Sequence, residues 1–236
     1  MILDSIILFF GAIAGGIAVY LFNYQQKSIK LPLVFAGSYL FSITIIHILP
    51  ELFTVSEEPF KVGLFLLIGF FFQSFLEYFT QGVEHGHFHH SGSRPNFSLL
   101  LALVVHSILE GALLTHDSPF HGHHESYSLL IGILLHKAPA AYALMAVYRN
   151  GQKFNWKQGA ILFLFAIASP MGVHLSGMID FSNTFFILFY AFVSGNFLHI
   201  STTIFVETSP DHRPKPGRVA ASILGAVIAA ASEYIL

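Results

Sequence analysis

Residues 99–116 read LLLALVVHSILEGALLTH, and residues 128–147 read SLLIGILLHKAPAAYALMAV. Each is an apolar run of the length that crosses a bilayer, about 20 residues. Each also carries ionisable side chains in its middle, where hydrocarbon makes a charge expensive unless it is paired or used. His106 and Glu110 are four apart, so a helix stacks them on one face, one turn above the other. An imidazole and a carboxylate on one face are a pair of metal ligands. His136 and Lys137 form a second polar island. Pro139 follows it, lacking an N–H and clashing with the carbonyl of Leu135, which predicts a kink that aims His136 at His106 and Glu110. Glu110 at mid-span is protonated and hydrogen-bonded, paired with Lys137, or bound to a cation; the nearby His106 favours the cation. Gly111 lets another backbone come close.

Composition sets the class. The chain is 54% hydrophobic and only 10% charged, with mean hydropathy +0.67. A soluble domain has about a quarter of its residues charged, so these values describe a polytopic membrane protein. There is no cysteine, which excludes disulfides and thiolate metal sites. The 14 histidines outnumber the 11 basic residues and are the natural metal ligands. A net charge of −2 offers nothing to nucleic acid. The first segment lacks the basic stretch of a secretory signal and reads as a retained first helix.

Eight spans are expected, at 2–22, 33–53, 61–81, 97–116, 127–148, 158–179, 184–206 and 217–236, in an all-α integral membrane bundle forming one transport domain. Lys and Arg concentrate after the odd-numbered spans: Lys27, Lys30, Arg94, Arg149, Lys153, Lys157, Arg213, Lys215 and Arg218. After the even-numbered spans stands only Lys61. The asymmetry puts the odd loops in the cytoplasm and both termini outside. Gly11 with Gly15, and Ala221 with Gly225, have the spacing of small-residue helix contacts, which is ordinary packing in membrane helices.

Other polar residues lie in or near the spans. His47 precedes Pro50 and Glu51 in HILPEL, His174 follows SPMG in the sixth span, and His199 stands in GNFLHISTTIFVE of the seventh. Each alone is more often a packing residue than a ligand, but five intramembrane histidines exceed what an inert bundle needs. Ser42, Thr44, Ser169, Ser201, Thr202 and Thr203 could add oxygen ligands. Glu77 and Glu207 are cytoplasmic-side acids in this topology. Two tracts are His-rich: the cytoplasmic loop 82–96, with Glu84, His85, His87, His89 and His90, and an external tract with His116, His121, His123 and His124. Short His-rich tracts bind divalent metals.

The whole pattern resembles the Zrt/Irt-like (ZIP) family of divalent-metal transporters. That family's fourth span carries H-[NS]-x-x-[DE]-G, which stands here as His106-Ser107-Ile108-Leu109-Glu110-Gly111. Its fifth carries a His followed by Glu or Lys, here His136-Lys137-Ala138-Pro139-Ala140-Ala141. HILPE and SPMG also look like family segments. The resemblance implies a metal site between the fourth and fifth spans, with His106, Glu110 and His136 as ligands and Ser107 beside them. In members with two metals, a carboxylate stands at the position of Lys137 and an Asn at that of Ser107. An ammonium has no lone pair, so a single metal is expected, with the Lys137 charge in the second position. Ala140 removes one further ligand, and water, Ser107, His47, His174 or His199 is left to complete a four-coordinate Zn²⁺.

The expected function is import of Zn²⁺, or of Fe²⁺, Mn²⁺ or Cd²⁺, into the cytoplasm, with rearrangement about Pro139. The protein is then not an enzyme. Its partners are metal ions and the lipid bilayer, and a homodimer is an open option. Its expected location is the cell (inner or plasma) membrane. The rival reading is an intramembrane zinc hydrolase built from the same histidines and Glu110. Against it, the chain has no HExxH motif.

Overall fold

The computed structural model describes residues 2–21, 26–80, 97–114, 126–149, 153–179, 182–207 and 215–235, and among these there is no strand. The helices are α1 (Ile2–Leu21), α2 (Gln26–Ile43), a π-helical turn (Thr44–Ile48), α3 (Leu49–Val55), α4 (Pro59–Thr80), α5 (Phe97–Leu113), α6 (Ser126–Arg149), α7 (Trp156–Gly177), α8 (Asn183–Glu207) and α9 (Pro216–Ile235). Among the described residues, six segments are long and apolar enough to cross a membrane: Ile2–Leu21, Lys30–Val55, Pro59–Phe79, Tyr127–Arg149, Trp156–Gly177 and Asn183–Ile204. The protein is therefore a multi-pass, all-helical membrane protein. Two of the eight expected spans fall short of that measure. The described part of α5 has 17 residues, and α9 is rich in alanine and carries Ser232, Glu233 and Tyr234 in its last turn. Large apolar side chains, among them Phe71, Phe75, Ile223 and Val227, cover the exposed faces of α4 and α9. A surface of that kind belongs against lipid tails.

The second expected span is one stack of three pieces rather than a plain α-helix. Pro50 brings no N–H, so the α-helical ladder cannot be completed just before it. The backbone widens there, and the Leu49 N–H reaches back to the carbonyl of Thr44. Such π turns are uncommon and gather at functional positions; this one carries His47.

Packing divides the bundle into two groups of helices. In one, α1 lies along α6 and α7, and α5 lies along α7; in the other, α2 lies along α9 and α8, and α4 lies along α8. The groups meet chiefly where α2 faces α6 and α4 faces α5. Within the groups, backbones come close at glycine. A Cβ at Gly111 would run into the carbonyl oxygen of Ser169, and one at Gly172 would run into that of Ile108. Each glycine thus faces the carbonyl three residues before its partner glycine, and the α5–α7 crossing tolerates no side chain there. The α4–α8 crossing repeats the pattern, with Gly69 on Phe192 and Gly195 on Leu66. Between groups, the atoms nearest a Cβ at Gly132 of α6 belong to the side chains of Tyr39 and Leu40, at 3.2 Å and beyond. The small-residue pairs read from sequence are also at contacts: Gly11 and Gly15 face Leu134 and Ala138 of α6, and Gly225 faces Phe35 of α2.

One end of the first group is tied by polar side chains. Arg149 donates to the carbonyl of Val19, Tyr20 donates to Gln158 Oε1 at 2.9 Å, and Gln158 Nε2 donates to the carbonyl of Tyr148 at 3.0 Å. Asn155 and Gln158 form a reciprocal capping box at the start of α7. The ends of α1, α6 and α7 are held together there.

Candidate metal centre

The i, i+4 spacing on α5 acts as the sequence predicts. His106 Nε2 lies 2.9 Å from Glu110 Oε1. The facing helix α6 brings His136, whose ring meets the His106 ring edge-on at a centroid distance of 5.9 Å. One ligand atom from each of His106, Glu110 and His136 lies within 4.8 Å of the others, and among the described residues no other His or acid cluster of three meets that test. All three are sealed from solvent, at 3%, 1% and 2% exposure. Two imidazoles and one carboxylate converging out of water form a nitrogen–oxygen donor set that suits a divalent first-row metal.

Ser107 and Lys137 stand beside the triad but do not join it. Lys137 Nζ donates to Ser107 Oγ at 3.0 Å and lies 4.2 Å from the centre of the Phe165 ring. The Ser107 carbonyl in turn accepts from Ser169 Oγ at 2.9 Å. The Ser107 hydroxyl is thus committed to an ammonium, and Ala140 is a buried apolar side chain. The partner of Lys137 is a hydroxyl on the ligand-bearing helix, not the direct Glu110 ion pair that the sequence left open.

None of the three histidines considered for a fourth ligand is in the triad. His174 stands on the exposed face of α7, because Ser169, Gly172 and Val173 take the buried face and His174 is about 200° round from Gly172. His47, on the π turn, has Nδ1 2.9 Å from Glu233 of α9 and Nε2 3.7 Å from Glu51 of α3. His199 of α8 has Nε2 2.5 Å from Glu77 of α4, with Thr203 Oγ1 at 3.4 Å and the Phe70 ring edge-on. These are two further His–carboxylate clusters, both built on the second group of helices, whereas every triad residue is on the first. Several hydroxyls proposed as ligands turn back onto their own helices: Thr44 to Leu40, Ser201 to Phe197 and Thr202 to Leu198. Helix α6 runs unbroken through Pro139. Glu84, His85, His87, His89, His90, His116, His121, His123 and His124, and the side chain of Glu207, lie outside the described residues.

Sequence reasoning gave no site role to Glu233, nor to Gln73 and Asn196, which are fully buried on α4 and α8. A signal was present: Gln73 precedes Glu77 by four and Asn196 precedes His199 by three, spacings that put each pair on one helix face. Glu233 is an acid near the end of an apolar helix, and only its contact with His47 gives it meaning.

No protein-family model matches this chain.

Proposed function

We propose that this protein is a divalent-metal transporter of the Zrt/Irt-like type, carrying Zn²⁺, or Fe²⁺, Mn²⁺ or Cd²⁺, across the cell membrane into the cytoplasm. The observation that carries the reading is the buried His106–Glu110–His136 triad inside a multi-pass bundle. An intramembrane carboxylate between two imidazoles has no purpose in a passive scaffold and a clear one in holding a desolvated cation. Water or a moving side chain supplies the remaining coordination, and a single ion is carried because Lys137 fills the neighbouring position.

The flanking clusters agree with a route. In the proposed eight-span topology, with both termini outside, His47, Glu51 and Glu233 stand towards the external side and Glu77 with His199 towards the cytoplasm. A cation passes from carboxylate and imidazole to carboxylate and imidazole. The triad belongs to one group of helices and the flanking clusters to the other, so movement of one group against the other would present the ion to each side in turn. The side-chain-mediated meeting of α2 with α6 is the surface at which such movement is cheapest.

The test is ⁶⁵Zn²⁺ uptake into proteoliposomes by the wild type, His106→Ala and Glu110→Ala. Saturable uptake that both substitutions abolish is expected. A well-folded wild type that binds metal and moves none would overturn the transport reading.

A further inference from the structure

Lys137 is a buried cation that the metal site does not need for ligation. It is 1% exposed, its hydrogen-bond partner is Ser107 Oγ, and its ammonium also rests on the Phe165 ring. Ser107, fully buried, is the residue next to the ligand His106. The ammonium is therefore fastened to the helix that carries His106 and Glu110, while its own backbone neighbour is the third ligand, His136. A structural tie between α5 and α6 could be made by a neutral side chain. A charge placed here, next to where a dication would sit, works against binding that dication.

The arithmetic of charge shows what the ammonium achieves. With neutral imidazoles and no metal, Glu110 and Lys137 sum to zero. With a dication bound, the cluster carries two positive charges. Without Lys137, the empty cluster would carry one negative charge and the loaded one a single positive charge. Net charge in a low-dielectric interior is costly. Lys137 thus favours the empty site at the expense of the loaded one.

We infer that Lys137 is a tethered counter-cation that neutralises Glu110 when the metal has left, so that the unloaded carrier can return through the membrane. It is a positioning and charge-setting residue, not a ligand. The inference rests on the transport reading above and extends it to the return half of the cycle.

The experiment compares two modes of ⁶⁵Zn²⁺ movement in proteoliposomes. Net uptake into zinc-free vesicles requires the empty carrier to return; exchange into zinc-loaded vesicles does not. Lys137→Gln keeps a hydrogen-bond donor on the side chain and removes the charge. The ratio of exchange to net uptake is expected to rise roughly tenfold or more in this variant, and Zn²⁺ binding to the purified protein is expected to tighten by a similar factor. Lys137→Met, which keeps the stem, is read in the same way if the Gln variant does not fold. Equal losses in both modes would mean that Lys137 is only a structural tie and would overturn the inference while leaving transport intact. A wild type that moves zinc in neither mode would overturn the transport reading itself, and the inference with it.

Discussion

Replacing Glu110 with Gln isolates the one negative charge of the triad. The amide has nearly the shape of the carboxylate and can still bond His106, so the helix pair should survive. What is lost is the attraction between a carboxylate and a dication in a site where water contributes no screening, since Glu110 is 1% exposed. Breaking one partner of a buried, hydrogen-bonded charge pair costs about 2–5 kcal/mol. The 2.9 Å separation of Glu110 Oε1 from His106 Nε2 means that one cation can touch both at once, which argues for the upper half of that range. At about 1.4 kcal/mol per decade, the Zn²⁺ dissociation constant should rise by roughly two and a half to three and a half orders of magnitude. Competition against a chelating dye in detergent, at neutral pH and fixed ionic strength, measures it directly. A change of less than about threefold, in a variant that elutes and melts like the wild type, would mean that Glu110 does not face the metal.

Metal affinity should fall as pH drops from about 7.5 to 5.5, because an imidazole must be unprotonated to ligate and protons compete with the metal for it. The sign is set by the ligand's need to be unprotonated, and an affinity flat over that interval would exclude His106 and His136 as ligands. Gly172→Ala should destabilise the fold by about 1–3 kcal/mol, since the new methyl meets the Ile108 carbonyl of α5. Gly63→Ala, with open space around it, should be neutral or slightly stabilising; equal melting temperatures for the two variants in detergent would contradict the tight α5–α7 crossing. Asn155→Ala should lower stability by about 0.5–2 kcal/mol through loss of the α7 capping box, seen as a lower melting temperature. Its zinc affinity should be unchanged, because the cap lies far along α7 from Ser169, and a weakened affinity would show that the end of the bundle communicates with the site.

The membrane class and the His106–Glu110 pair were legible from the amino-acid sequence alone, and for local reasons. Apolar run length decides whether a segment suits hydrocarbon, and the 3.6-residue repeat places i and i+4 side chains together whatever surrounds the helix. Pro50 stands three residues after His47 in the sequence, but the π turn that opens before it was read only from the structure. The family-like motifs led to His136 as a third ligand, but periodicity within α6 could not bring it to another helix.

Contacts between helices depend on rotation and crossing point, and only the tertiary structure decided those. It turned His174 outward while His47 and His199 went to carboxylates on α9, α3 and α4. It gave Lys137 to Ser107. The glycines that matter most to the site, Gly111 and Gly172, are on helices separated by a third helix in sequence, and no motif within one span links them. Side-chain volume at the crossing sets how closely two backbones approach. That closeness, summed over both groups of helices, determines which polar side chains meet.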